Sequence, residues 1–449
     1  IINSESGNLT IEKATILNNI SGTSNSTYVC LIQNYGEIKI VDATLNTTGK
    51  YNFAINNNNT GNLTMEGGTI TSSGENSDGI WNYGTLLIKS GTITACDRAI
   101  FNRESGNLTI EGATINATGK NGIGINQSST EPIVITDGNI NSKYYGIYNN
   151  TTGKIEILGG VITANYGIYN KSTGEVKVDG TQITSNPESS DDIYGIYNYS
   201  TGMITLKDVN ITLTASDNFV YGIYNNSTGN ITIDSISLTV TNTASYRNCM
   251  GIYNKVGEIV LKSGTIDVLH KDTGNNTNYH AYGIYNDGTG TVTIGEIGGE
   301  VSTSLPRITA TGTTNSYGIY NTKGILNFYD GIVTGTEGYA IYNLISDQEE
   351  GYEVIKEINE DGTESATLQK LAIAQIVSTG EKYYNLQDAI DKVGDNKETV
   401  QMLRDATLSS TTETVVINEN KNVVIDLNGK TIEVGNINTI QNNGTLEIV

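Results

Sequence analysis

The sequence predicts an all-β chain built as a right-handed parallel β-helix, a solenoid with three short strands per coil. Three observations predict it. The phrase Tyr-Gly-Ile-Tyr-Asn recurs, intact at 145–149, 166–170, 194–198, 221–225, 282–286 and 317–321. Its spacing of roughly 20 to 35 residues lies in the range of solenoids, propellers and arrays. Between copies, apolar and polar residues alternate in runs of four or five, the period of a half-buried strand.

One unit, 146–164, shows the elements in order: Gly-Ile-Tyr-Asn, then Thr-Thr-Gly, then Lys-Ile-Glu-Ile-Leu, then Gly-Gly, then Val-Ile-Thr-Ala. Gly and Asn punctuate every run, as tight turns require. Helical repeats need longer stretches of period 3.6, and a propeller blade needs about 40 residues and four strands. Neither fits this unit. Hexapeptide periodicity and the Gly-Gly-x-Gly-x-Asp nonapeptide are both missing. Looser copies at 250–254 and 339–343, and degenerate ones at 1–3, 32–34, 55–57, 79–82 and 99–102, bring the count to about fourteen rungs. At the interstrand rise of about 4.8 Å, such a stack is a rod roughly 60–70 Å long.

Within Ile-x-Asn, the Ile is expected to face inward and stack on its neighbours, the middle residue outward, and the Asn inward again. Asn149, Asn170, Asn198, Asn225, Asn254, Asn286, Asn321 and Asn343 form the expected structural ladder, because a buried amide can bridge adjacent coils and Asn tolerates a sharp corner. Tyr148, Tyr169, Tyr197, Tyr224, Tyr253, Tyr285, Tyr320 and Tyr342 form the expected outward aromatic stripe, continued by Trp81 and Phe101. A flat stripe of this kind could dock sugar rings or a protein.

The repeats span 1–345. Residues 346–371 read as a charged connector with a hairpin around Asp361-Gly362. From 372 to 449 a second module begins. Asn385 is a good N-cap for an apolar stripe of Leu386, Ala389, Ile390 and Val393, and Gly394 suits the C′ position. Strands are expected at 399–403, 414–417 and 422–427, and the chain closes with another Ile-x-Asn rung near 440–442. The helix phrase Leu386-Gln-x-Ala-Ile390, followed by Leu403, Asp405 and Leu408 and then Leu427-Asn-Gly-Lys-Thr-Ile432, resembles the N-terminal cap of a pectate-lyase-like β-helix. The version here is similar to that in large repetitive surface proteins of Gram-positive bacteria. An open coil end exposes strand edges and apolar surface, which an amphipathic helix would cover.

Composition narrows the function classes. The formal net charge is −22 across 449 residues, so nucleic acid, which needs a basic face, is not the expected partner. No apolar run reaches membrane-spanning length. Three cysteines, Cys30, Cys96 and Cys249, lie far apart with no zinc or disulfide pattern, and no metal site is expected from them. The first and last residues fall in mid-coil, so the expectation is a piece of a longer secreted protein, with targeting and anchoring outside it.

Coils between about 170 and 321 carry insertions at one place, just before the Tyr phrase: 185–193, 215–220, 241–250, 267–281 and 298–316. Insertions at equivalent positions should emerge side by side as a crest. Asp191, Asp192, Asp217, Arg247, His270, Lys271, Asp272 and His280 are its candidate binding residues, and calcium is the one ion such carboxylates would suit. Pectate-lyase-like folds often host lyases and hydrolases, but the Asn-Thr-Asp, Gly-His-Gly and Arg-Ile-Lys phrases of polygalacturonases are absent, and fold alone does not decide activity. A Thr-x-Thr pattern of the kind that orders water, as at 69–71 and 92–94, is interrupted at Asn116, Asn141 and Asp267.

The leading expectation is therefore a non-enzymatic adhesin or stalk on a bacterial cell surface, extracellular, binding a host or environmental glycan or protein. A carbohydrate-active enzyme on the same fold and a purely structural spacer are the alternatives.

Overall fold

A computed structural model describes residues 1–23, 28–185, 191–216, 218–243, 247–271, 279–302, 304–313, 316–408, 414–434 and 440–449. It divides into two compact units, 1–349 with 355–368, and 350–354 with 369–449.

The first unit is a parallel β-solenoid. Each coil contributes one strand to each of three sheets, and successive coils pair in parallel: the first and second sheets hold fourteen strands each, the third fifteen. The first-sheet strands carry the Tyr phrase, from Ile2–Asn3 in coil 1 through Tyr145–Asn149 in coil 7 to Tyr339–Tyr342 in coil 14. Register is strict: Ile147 lies opposite Ile168, Tyr148 opposite Tyr169 and Asn149 opposite Asn170. The pattern follows from burial. Ile55, Ile80, Ile100, Ile125, Ile147, Ile168, Ile196, Ile223, Ile252, Ile284 and Ile319 are all fully buried, each worth about 1.5–3 kcal/mol of apolar transfer. A one-residue slip would turn this column outward.

The third sheet does not end on a parallel coil. Strand Thr363–Lys370 runs antiparallel to Ile332–Thr336, with Val333 opposite Ala366 and Gly335 opposite Glu364. Strand Tyr352–Ile358 is the outermost member of that sheet.

The Asn ladder is a chain of buried side-chain amides in two runs. In the first, Asn3, Asn34, Asn57, Asn82 and Asn102 each donate Nδ2 to the next side-chain oxygen at 2.7–2.9 Å, ending on Gln127. Gln127 is one methylene longer, and its Nε2 turns to the carbonyls of Ser129 and Glu131 instead. The second run links Asn149, Asn170, Asn198, Asn225, Asn254, Asn286 and Asn321 at 2.9–3.2 Å. The second amide hydrogen serves the turn, as from Asn225 to the Gly229 carbonyl at 3.0 Å. Asn343 departs from the expected ladder. It lies beyond the last first-sheet strand with φ of 77°, is exposed, and donates to the Thr322 carbonyl. Among the described residues, no fifteenth first-sheet strand follows in this unit to receive an inward amide.

On the outer face of the second sheet, lysines pair with carboxylates across coils. Lys39 and Lys89 share Glu66, Lys177 meets Glu156, Lys207 meets Asp179, and Lys262 bridges Asp234 and Glu296. Exposed pairs of this type contribute little each.

The second unit holds a helix, α1, over Leu386–Lys392, with Asn385 Oδ1 accepting from the Asp388 amide at 2.7 Å. Its apolar stripe, Leu386, Ala389, Ile390 and Val393, is buried with Ile376, Val400, Met402, Val415, Ile417, Val423 and Ile425 in one core. Gly394 follows the Val393 C-cap but does not take a left-handed φ. The strands fall at Glu398–Met402, Val415–Ile417 and Asn422–Asp426. Parallel pairs Ala406–Leu408 with Ile432–Val434, Val415–Ile417 with Ile440–Asn442, and Asn422–Asp426 with Thr445–Ile448 make two further coils of the same three-sided kind.

Candidate functional site

Five residues per coil build the outer face of the first sheet. In Tyr-Gly-Ile-Tyr-Asn the two tyrosines stand three apart yet both face outward, while Gly, Ile and Asn are buried. Strict alternation would forbid this. A small residue at the second position makes it possible by letting the backbone bend inward against the neighbouring coil; it is glycine in most coils and alanine at Ala99 and Ala340. A Cβ placed on Gly146 would lie 2.4 Å from Ile162 Cγ2 and 2.5 Å from the Gly167 carbonyl oxygen, and the same crowding recurs at Gly167, Gly195, Gly222, Gly251, Gly283 and Gly318.

Two tyrosine columns result. The expected stripe, Tyr148 to Tyr342, is present over eight coils, with successive centroids 4.7–5.4 Å apart. A second column runs beside it through Tyr145, Tyr166, Tyr194 and Tyr221, is interrupted by Met250, and resumes at Tyr282, Tyr317 and Tyr339. The columns interlock, as at Tyr194–Tyr197 (5.1 Å) and Tyr221–Tyr224 (5.0 Å). The first tyrosine of the phrase was as visible in the sequence as the second. Its outward direction was not, because it depends on that bend.

Ring orientation decides what the face offers. Tyr148–Tyr169, Tyr224–Tyr253 and Tyr320–Tyr342 are stacked within 3°, 11° and 2°. Rings stacked along the column cover one another's faces and turn edges and hydroxyls outward. These three of the seven successive pairs form a ridge of ring edges, whereas Tyr197 is tilted to both neighbours and Tyr285 stands across both of its own. Burial holds the phenols well above their ordinary pKa: Tyr169, Tyr224 and Tyr285 are each pushed up to about 12, chiefly by desolvation and then by neighbouring tyrosines or Asp287. Tyr253 donates its hydroxyl to Asp287 Oδ2 at 2.7 Å.

The stripe does not continue unbroken to Trp81 and Phe101, because Asn126 stands between Phe101 and Tyr148 in register. Trp81 and Phe101 belong to a separate cluster. Phe53 stacks on Trp81 at 4.5 Å and Tyr28 meets it edge-on at 4.9 Å. Arg98 lies 4.2 Å over Phe101 and is fixed by the fully buried Asp78 through Nε (3.0 Å) and Nη2 (2.7 Å). Arg103 lies 5.0 Å over Trp81. Asp97 is held above the usual carboxylate range by burial and then by Asp78.

The crest residues are not one constellation. Asp192 accepts from the Phe219 amide at 3.1 Å, and burial raises its pKa. Arg247 stacks over Phe219 at 5.3 Å, and the Phe219 ring lies 6.1 Å from Tyr221. The His280 amide donates to Asn248 Oδ1 at 2.8 Å, and its ring meets Tyr282 and Tyr317 edge-on. The loop feet of successive coils thus touch in sequence and abut the first tyrosine column. Asp191 and Lys271 are exposed. His270 does not belong to the crest. It ends strand Thr265–His270 opposite Asn242, pointing inward at 1% exposure, because the third-sheet strand is longer here than the sequence suggested. Asp217 and Asp272 lie outside the described residues.

Among the described residues, no three or more His, Cys, Asp or Glu side chains converge on a metal-sized site, and no helix is long and apolar enough to cross a membrane. Comparisons with known protein families, curated proteins and solved structures found no match.

Proposed function

We propose that the chain is a non-enzymatic stretch of a secreted bacterial cell-surface protein, an adhesin or stalk that binds a host or environmental glycan or protein through the tyrosine face and the loops beside it. The observation that carries this reading is the unbroken register of eight outward tyrosines from Tyr148 to Tyr342. Tyrosine gives large, rigid contact area with a polar tip, which is why it is enriched where proteins bind. A structural column would need only apolar packing; hydroxyls repeated along a surface also suit hydrogen bonding to a partner. The likeness of the 386–432 phrases to the caps of pectate-lyase-like surface proteins points the same way. On that reading α1 closes the start of the second coil stack.

The test is purified protein on an array of glycans and host matrix proteins, with calcium added and released sugar read from the same wells. Selective retention without product supports the proposal. Product release lost in Asp191→Ala or Asp192→Ala would replace it with a lyase or hydrolase. No retention and no product would leave a spacer.

A further inference from the structure

Two coils depart from stacking in the tyrosine stripe: Tyr197 is tilted by 39° and 57° to its neighbours, and Tyr285 stands across both of its own. Tyr285 is turned 84° to Tyr253 and 89° to Tyr320, so its plane runs along the column while its neighbours lie across it. One face of Tyr285 rests on Tyr282 at 4.9 Å and 19°. Its other face meets no ring among the described residues.

Asp287 stands two residues on, in the turn after the ladder Asn286. Its carboxylate accepts the Tyr253 hydroxyl at 2.7 Å, and, after burial, its charge helps raise the pKa of the Tyr285 phenol. It is half-buried. Surface carboxylates of the second sheet are matched by lysines from adjacent coils, as Asp179, Asp234 and Glu296 are. Asp287 makes no ion pair among the described residues. Its hydrogen-bond donor, the Tyr253 phenol, is neutral and brings no compensating charge. A half-buried carboxylate beside an aromatic face that no other ring covers attracts a cation twice, through the charge and through the ring quadrupole. The field of a chain with net charge −22 acts in the same sense.

We propose that Tyr285 and Asp287, flanked by Tyr253 and Tyr320, form a binding site for an organic cation, namely the guanidinium or ammonium side chain of a protein partner. The assignment deepens the binding reading above and rests on it for the partner. Planar guanidinium fits best, since it can stack on the Tyr285 ring while donating to Asp287.

The test uses the full chain labelled on its tyrosine rings, titrated with capped Gly-Arg-Gly peptide and, separately, with arginine ethyl ester, following each ring by NMR. Expected are shifts centred on Tyr253, Tyr285 and Tyr320, tighter binding of the peptide, and about tenfold weaker binding in Asp287→Asn. That substitution keeps an oxygen to accept from Tyr253 and removes one charge of a net −22, so diffuse attraction would hardly change. Tyr285→Leu should weaken binding comparably, with amide exchange of the coil confirming that it stays folded. Shifts spread evenly over all tyrosines, or an unchanged affinity in Asp287→Asn, would overturn the site. Equal binding of the ester would overturn the partner assignment in favour of a free small amine. A chain that binds the peptide but adheres to nothing on the array keeps this site and loses the adhesin reading; the reverse result removes this site alone.

Discussion

Replacing Asn225 by Ala should open the middle of the coil stack. Asn225 is fully buried. Its Oδ1 accepts from Asn198 at 3.1 Å, and its Nδ2 donates to Asn254 at 3.1 Å and to the Gly229 carbonyl at 3.0 Å. Truncation leaves a donor on Asn198 and acceptors on Asn254 and Gly229 short of a partner, with no route to solvent. Each buried group stranded in this way costs about 1–3 kcal/mol, and Asn198 and Asn254 keep part of their bonding through their own turns, so a net loss of about 3–5 kcal/mol is expected. Coils contact mainly their neighbours, so the loss should be local. Native-state hydrogen exchange reads it directly: amides of the strands at Ile193–Asn198, Val220–Asn225 and Cys249–Asn254 should exchange at least about a hundredfold faster, with those of the first few coils unchanged. Asn343→Ala is the internal control, since its side chain is exposed with one bond to Thr322; it should cost less than about 0.5 kcal/mol. Equal effects of the two substitutions would refute the argument that the ladder stabilises the fold through buried amide pairing.

Three further outcomes are expected. Gly222→Ala places a methyl 2.5 Å from the Gly251 carbonyl oxygen and from Leu238 Cδ1, and should lower the unfolding free energy by about 1–3 kcal/mol through overpacking, read by chemical denaturation. Arg98→Ala leaves the fully buried Asp78 without its cation and should cost about 3–5 kcal/mol, with the fluorescence of Trp81, the one tryptophan, reporting loss of the local cluster. In alkaline titration the phenols of Tyr169, Tyr224 and Tyr285 should ionise near 12, not at the ordinary 10.0. The sign follows from linkage: the unfolded chain releases these protons first, so the stabilisation is complete below pH 10 and falls away between 10 and 12. A phenolate absorbance curve centred at 10 in the folded protein would contradict it.

The solenoid was legible in the sequence because its signals repeat. Ile recurs at a fixed offset in every rung and Asn in nearly all of them, and a residue that is buried in thirteen successive strands, from Ile32 to Ile341, leaves a pattern no single strand could. What escaped notice depended on three-dimensional detail without such repetition. The first tyrosine column needs the bend at the small residue that follows it, which a period-two reading does not contain. Gln127 looks like a conservative exchange for Asn, yet its extra methylene sends the amide to Ser129 and Glu131 and divides the ladder. His270 read as a loop residue because the third-sheet strand extends to it only where coils lengthen, as in Ile236–Asn242 and Thr265–His270. Asn343 matched the phrase by sequence, but it sits past the last first-sheet strand. For the candidate site, the composition of the tyrosine stripe could be read in advance. The ring angles that stack three of the pairs and turn Tyr285 across its neighbours could not, since they depend on how each ring packs against those beside it, as Tyr285 does on Tyr282.

The most direct test of the binding reading compares the wild-type chain with a Tyr197→Ser, Tyr224→Ser, Tyr253→Ser variant for retention on host cells or matrix proteins, after hydrogen exchange has confirmed that the Ile196, Ile223 and Ile252 column remains protected. The account predicts retention by the wild type and its loss, by about tenfold or more, in the variant. Undiminished retention by a folded variant would contradict the assignment of binding to the tyrosine face.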